Sequence, residues 1–145
     1  MAIDCGDYEK WARSVDQLLR RLGGTGAQHG FGTAPIWSPP TDVFEVEDGV
    51  VVKMELPGVS PGDLSIVLID EKLVVKGRRR DTDAGRKTHY LQMEIAFGAF
   101  AKVVALRMPH ERDGIEARLA DGYLDLFIPR AEEQTGEKIA VEIRL

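Results

Sequence analysis

The sequence predicts an all-β domain, an antiparallel immunoglobulin-like β-sandwich, with an N-terminal amphipathic helix and a flexible C-terminal extension. Apolar and polar residues alternate at a period of two through residues 41–130. Gly, Pro and Asp interrupt this alternation about every ten residues, with no helical pattern between the strand candidates, as in antiparallel sandwiches. The chain therefore divides into an N-terminal helix and Gly/Pro-rich linker (1–40), the sandwich (41–130) and the extension (131–145).

Length and composition restrict the function classes. The 145 residues are 43% hydrophobic and 30% charged, which is typical of a soluble globular protein of one domain with tails. The net charge of −5 argues against nucleic acid as the main partner, because that binding normally needs a basic surface. No apolar run is as long as a membrane span, and the N-terminus lacks the order of a secretory signal. We expect a cytoplasmic protein without stable membrane insertion.

The first 40 residues combine a helix with a linker. Apolar residues recur at steps of three and four over about four turns and then stop at Gly23-Gly24, which predicts an amphipathic helix. A glycine-containing run to Gly32 predicts a flexible linker, and "APIWSPP" after it holds two apolar residues expected to be exposed. The helix either docks on the domain, self-associates or binds a client. The apolar residues of the segment are Tyr8, Trp11, Val15, Leu18, Leu22, Ile36 and Trp37.

Four strands are predicted in the first half of the sandwich. "DVFEVEDGVVVKMELPG" contains two strands around a tight turn at residues 47–49. "DLSIVLIDEKLVVKG" contains two more, with a turn at Asp70-Glu71. Its alternation places Leu64, Ile66 and Leu68 on one face of a strand.

Three further strands and one long loop complete the domain. "FAKVVALRMP", "GIEARLA" and "GYLDLFIPR" have the alternation of strands and are mostly bounded by Gly or Pro. The stretch from Gly77 to Gly98 is instead a long polar loop around a short strand candidate, Lys87–Met93. Long loops in compact domains usually have a function. Within this loop region, the run Arg78–Arg80 is predicted to be solvated.

The C-terminal extension ends in a strand pattern. Ile139, Val141, Ile143 and Leu145 alternate with polar or small residues, so their side chains share one face. Such a face needs a partner, although it follows a polar run of the kind that usually frays. A strand that pairs within its own domain is one explanation of this pattern.

The sequence gives no sign of catalysis or cofactor binding. No serine lies in a Gly-x-Ser-x-Gly elbow, and the glycine run at 23–32 follows a helix instead of leading from a strand into one. The three histidines lack metal-ligand spacing, and the single Cys5 can form neither an internal disulfide nor a zinc site by itself. We expect no enzyme activity, no catalytic, cofactor-binding or metal-binding residue, and no cofactor.

Several motifs occur in the order found in one known family. "LPG" at 56–58 follows the second strand, "LVVKGRR" resembles Leu-x-Ile-x-Gly-x-Arg, and "MEIAFGAFAK" resembles Glu-Arg-x-x-Gly-x-Phe-x-Arg. "ARLADGYL" is similar to Ala-x-x-x-Asn-Gly-Val-Leu and leads into "IPR", and the tail resembles an Ile/Val-x-Ile/Val motif. On these residues the chain is identified as a member of the small heat-shock proteins, which are defined by the α-crystallin domain, and it resembles the bacterial and plant type.

The chain also departs from the family pattern. Ile95 and Lys102 stand where arginines are usual, and Asp121 and Tyr123 replace the Asn and Val of the signature. The strand from Phe100 to Pro109 is about two residues longer than usual, which suggests a bulge or a longer hairpin end.

The resemblance implies a sandwich of about seven to nine strands that dimerises and then assembles into larger homo-oligomers. Such proteins are ATP-independent holdase chaperones of the stress response, and their partners are unfolded client proteins. The loop strand would cross to the partner's sheet, the tail would fill an apolar groove on a different dimer, and the N-terminal apolar residues would bind clients. The strand-swap residues would be Lys87, Thr88, His89, Tyr90 and Leu91; the docking motif Ile139 and Val141, with Ile143 as an added contact; and the groove Leu64, Ile66, Leu68, Ile115, Ala117 and Leu119.

An alternative from another class is a co-chaperone adaptor of the CS-domain type, which shares the sandwich and binds a folded partner. Such adaptors lack the long strand-bearing loop and the terminal Ile-x-Val. A sharp monomer in solution would favour the adaptor, and a large assembly would favour the chaperone.

Overall fold

The computed structural model describes residues 9–10, 12–14, 16–17, 20, 37–132 and 140–145. Within them, two four-stranded sheets pack face to face, and every strand pair is antiparallel. Short 3-10 turns lie at Pro61–Asp63 and Ala84–Arg86. The strands are β1 (Thr41–Val46), β2 (Gly49–Glu55), β3 (Leu64–Ile69), β4 (Lys72–Arg79), β5 (Gly98–Ala105), β6 (Glu116–Ala120), β7 (Tyr123–Pro129) and β8 (Ala140–Ile143).

The two sheets enclose one apolar core. The first sheet has the order β1-β2-β7-β6, and the second has the order β5-β4-β3-β8. Alternate residues of β2 and β7 face alternate residues of β3 and β4, as the period-two pattern requires. The side chains buried between the sheets include Val52, Met54, Ile66, Leu68, Leu73, Val75, Phe100, Leu124, Leu126 and Ile128.

The predicted fold class is confirmed, and the seven strands predicted within the sandwich all form. β5 ends at Ala105, so the suggested longer hairpin end does not form. Leu106 and Met108 stay buried in the core, and the Leu106 N–H donates to the carbonyl of Glu71 at 2.7 Å. The extra residues therefore lengthen the loop between β5 and β6, without a bulge in the ladder.

The regions outside the sandwich are described only in part. The described residues between 9 and 20 are helical, and the full amphipathic helix stays a prediction. The apolar residues of its predicted face, together with the glycine linker and Ile36, lie outside the described residues.

The turn between β6 and β7 explains the Asp-Gly pair in the signature. Asp121 and Gly122 have φ of 53° and 81°, and Ala120 pairs with Tyr123 across them. A two-residue hairpin turn with positive φ at both positions matches the twist of the strands, and Asp-Gly is a preferred sequence for it. The Leu56 N–H donates to the Gly122 carbonyl at 2.7 Å, so this turn also holds the end of the second strand.

Gly77 lies where the backbone of β4 meets the turn before β3. A Cβ at this position would lie 2.4 Å from the carbonyl oxygen of Asp63 and 2.7 Å from the Phe100 ring. The first of these atoms belongs to the backbone, so a side chain cannot be accommodated without moving one strand relative to the other. The glycine of the "LVVKGRR" motif is thus required by packing.

We predict that Gly77→Ala lowers the free energy of unfolding by about 1–3 kcal/mol, because overpacking outweighs the smaller gain from a less flexible unfolded chain. Gly85→Ala is the matched control, since a Cβ there meets nothing within 4 Å. Urea unfolding followed by circular dichroism at one protein concentration measures both changes. Equal midpoints for the two variants would contradict the packing argument.

Candidate interaction surfaces

The first surface is a groove between the two sheets along β3 and β6. Were β8 removed, the second sheet would end at β3, while the first sheet ends at β6. Ile115, just before β6, lines a cavity together with Val141 and Ile143. All six predicted groove residues belong to one apolar cluster that also contains Ile143: Leu64, Ile66, Leu68, Ile115, Ala117 and Leu119.

The tail strand lies in this groove within its own chain. β8 pairs with β3 so that Ile143 opposes Ile66 and Val141 opposes Leu68. Val141 and Ile143 are each only 9% exposed. The terminal residues therefore form a strand, where a flexible extension was expected, and Ile139 lies outside the described residues. An unpaired edge binds a strand that can reach it, which in a single chain is its own tail.

The second surface is the loop between β4 and β5, organised around Lys87. The Lys87 ammonium forms an ion pair with Asp81, and its Nζ lies 5.3 Å from the ring centroid of Tyr90 and 4.8 Å from that of Phe97. The hydrogen bond between the two charged groups raises the pKa of Lys87 and lowers that of Asp81. This cluster links the start of the loop to its end.

The same loop exposes a row of large apolar side chains. Leu91, Met93 and Ile95 are 95%, 71% and 65% exposed. They recur at every second residue, as on one face of a strand, yet the loop forms no ladder with the described part of the chain. Residues 87–93 therefore form no strand in the single chain, and their pairing with a partner's sheet stays a prediction.

The five predicted strand-swap residues fall into two groups, one in the cluster around Lys87 and one outside it. Lys87 and Tyr90 belong to the cluster with Asp81, whereas Thr88, His89 and Leu91 are exposed without strand pairing. The exposed alternation runs on to Ile95, beyond the five predicted residues. The period of two in "LQMEI" was the signal that could have extended the predicted segment to Ile95.

A third feature is the free edge of the first sheet. β1 pairs with β2 on one side and with no described strand on the other. Val43 lies opposite the fully buried Val52, so its side chain points toward the core side, yet it is 47% exposed. The edge of the first sheet therefore extends past the cover of the second and leaves apolar surface open.

Trp37 is held by the sandwich, and the expectation that it would be exposed was wrong. Its ring lies 5.2 Å from that of Phe100 and 4.2 Å from the guanidinium of Arg79. Its indole N–H donates to the carbonyl of Gly98 at 3.3 Å, and its backbone pairs with β5. Trp37 thus covers the edge of β5 and is not part of a free apolar segment.

The arginine run at 78–80 is also more structured than expected. Arg79 stacks on Trp37 and donates from Nη1 to the carbonyl of Ala96 at 3.0 Å, and burial lowers its pKa. Its Nε is buried without a hydrogen-bond partner among the described residues. Arg80 makes a two-pronged ion pair with Asp63, at 2.6 and 2.8 Å. These arginines fix the base of the loop.

Across the described residues, no group of three or more His, Cys, Asp or Glu side chains is placed to hold a metal ion. In the same part of the chain, no helix is long and apolar enough to cross a bilayer.

Comparison with known proteins places these surfaces in context. A sequence model of the Hsp20/alpha crystallin family matches residues 42–144. Small heat shock protein C2 of Rickettsia felis is 30% identical over 104 residues, 72% of this chain and 68% of that protein. Heat shock protein 16 of Schizosaccharomyces pombe is 32% identical over 108 residues, 72% of this chain and 76% of that protein. The crystal structure of a small heat-shock protein from Xylella fastidiosa, described as having a distinct high order structure, matches with a TM-score of 0.61 at 30% identity, over 74% of this chain and 98% of that one.

Proposed function

Because the chain belongs to the Hsp20/alpha crystallin family, we propose that it is an ATP-independent holdase chaperone, which binds partly unfolded proteins and works as an oligomer built from dimers. One observation carries the proposal: the domain pairs its own tail strand on an edge, while an exposed apolar loop segment and the edge of β1 have no strand partner among the described residues. A domain with such edges associates with other chains through backbone pairing. Binding surfaces, with no catalytic group, perform this function.

Tail exchange between dimers is the proposed route to the larger assembly. The register of β8 on β3 depends only on the two strands, so a tail from another dimer would bind in the same way. Each fully buried aliphatic side chain contributes on the order of 1.5–3 kcal/mol, before the cost of ordering the tail. One tail therefore binds weakly, whereas several tails in one assembly reinforce each other.

We predict that Ile139→Ala with Val141→Ala converts the oligomer to dimers at low protein concentration, because both side chains share the face that enters the groove. The control is Glu142→Ala, which changes the exposed residue between Val141 and Ile143. Sedimentation velocity gives the size distribution. Dissociation by Ile143→Ala but not by the double change would show that the main docking pair lies two residues later. If all variants keep the native size, tails do not join dimers.

The dimer is proposed to form when the loop strand pairs with β1 of a second copy. The loop supplies alternate apolar side chains, and β1 supplies a free edge with the half-exposed Val43 and Phe44. The cluster around Lys87 would hold the loop in a conformation that reaches outward, which reduces the entropy lost on pairing.

We predict that Leu91→Ser with Ile95→Ser weakens the dimer at least about tenfold, since two large apolar side chains would be lost from the interface. Gln92→Ser with Glu94→Ser is the matched control, because these residues alternate with the first pair in the same loop. Both mutated pairs are exposed in the single chain, so the fold should survive. Both pairs of changes are made in the Ile139→Ala, Val141→Ala variant, and sedimentation then measures the monomer–dimer equilibrium of each protein. An unchanged dimer would assign the loop another role.

Client binding is proposed for the N-terminal helix. Its predicted apolar face contains Tyr8, Trp11, Val15, Leu18 and Leu22, and a glycine-rich linker connects it to the sandwich. Apolar surface on a flexible tether adapts to the irregular surfaces of unfolded proteins. Ile36 is proposed to extend this surface, whereas Trp37 contributes only when it leaves β5.

We predict that the intact chain suppresses heat-induced aggregation of an unrelated enzyme without nucleotide, measured by light scattering at equimolar ratio or below. Trp11→Ser with Leu18→Ser should weaken this protection several-fold, whereas the control Arg13→Ser with Arg20→Ser, on the polar side of the helix, should not. An absolute ATP requirement would contradict the holdase proposal. Full protection by both variants would place the client site on the sandwich.

A further inference from the structure

The outer face of the second sheet carries a second apolar cluster, separate from the core. Val67 and Ile69 of β3 and Val74 of β4 point away from the first sheet, because they alternate with the core residues of their strands. These three side chains are nevertheless at most 3% exposed. An outward sheet face buried to this degree must be covered by another part of the chain.

The described part of the N-terminal helical segment supplies some of that cover. Ala12 packs against the cluster from within the helical segment. In the sequence it lies four residues after Tyr8 and three before Val15, so it belongs to the apolar side of the helix. The electrostatics agree with this position: burial lowers the pKa of Lys76, and the nearby positive charge of Lys10 lowers it further. Lys76 lies opposite Ser65 on the same outward face.

The tail strand contributes to this platform as well as to the groove. β8 has two faces, and Val141 and Ile143 turn inward toward the core side. Ala140 turns outward, opposite Ile69, and it is fully buried in the outer cluster with Val67 and Val74. Ala140 is thus the point at which the tail and the helix share one apolar surface.

We infer that docking of the tail strand on β3 completes the platform for the N-terminal helix, so that release of the tail also releases the helix. The occupant of the outer face is this chain's own helix. Whichever chain supplies the tail, the pairing of Ala140 with Ile69 places the same methyl group on the platform. Resting on the proposed function, the coupling makes the client-binding helix more available when the groove is empty.

The coupling acts in both directions, as linkage requires. A buried methyl group is worth roughly a fourfold change in an equilibrium constant. Loss of the Ala140 contact should therefore increase the undocked fraction of the helix about fourfold, and loss of the helix should increase the undocked fraction of the tail by a similar factor. The effect is graded, so both docked and free helices are populated.

Hydrogen–deuterium exchange on the full chain tests the coupling at two places. In the first arm, Ala12→Glu puts a charge against the outer cluster, and Gln17→Glu puts the same charge at an exposed position of the same helix. We expect about fourfold faster exchange at residues 140–143 in the first variant and unchanged exchange in the second. Neither position lies in the sandwich, so the fold is not at risk.

In the second arm, Val141→Ser with Ile143→Ser weakens the inward contacts of the tail without touching the platform. We expect faster exchange at residues 9–20, with unchanged exchange at β2 and β7 as the control for the fold. If Ala12→Glu leaves exchange at 140–143 unchanged, the coupling is refuted. Coupled exchange without any protection of clients would instead refute the holdase proposal and leave the coupling intact.

Discussion

The structure depends on the burial of alternate side chains between two four-stranded sheets. Period-two alternation gives each strand one face for the core, and the sheets meet through residues such as Met54, Ile66 and Leu126. This interaction buries the apolar inner faces of the sheets, but it supplies no hydrogen-bond partners to the backbone groups at their edges. Backbone groups at an edge remain free to pair with another strand, and so the edges decide with what the domain associates.

The edge strands of this domain differ in what covers them. The tail covers β3, and Trp37, which stacks on Phe100 and Arg79, covers part of β5. β1, beside half-exposed apolar side chains, has an outer edge that no described strand covers. The covers are short pieces from outside the continuous sandwich, and a short strand on a long tether can exchange with an equivalent strand of another chain. The proposed reversible assembly rests on this local arrangement.

The fold was predictable from sequence because its signals are local. Alternation and turn residues fixed the strands, and the Asp121-Gly122 pair marked one hairpin by its backbone preference. Alternation also predicted that Leu64, Ile66 and Leu68 share a face, whereas the groove that contains them was implied by the resemblance to the family. The chain that supplies the tail was not predictable, because local sequence specifies a strand but not its partner.

Other features depended on distant contacts. Trp37 and Arg79 looked solvent-exposed within a proline-rich stretch and a basic run, and only the packing of β5 brings their side chains together. The ion pair between Lys87 and Asp81 also joins residues that are close in the chain but gave no pairing signal in the sequence. A period of two identifies the face of a strand, whereas its pairing depends on what lies beside it.

A shift of one residue in the register of the tail would change which of its side chains enter the groove. In the observed register Val141 and Ile143 enter the groove, and Ala140 faces the outer cluster. A slip of one residue would turn Glu142 toward the core and move the two large side chains to the helix side. A buried carboxylate there would be costly without a partner, so the groove accepts the tail in one way only. The inward residues set the register, and the outward Ala140 joins the same cluster against which Ala12 packs, so a strand bound in the groove also contributes to the surface beside the N-terminal segment.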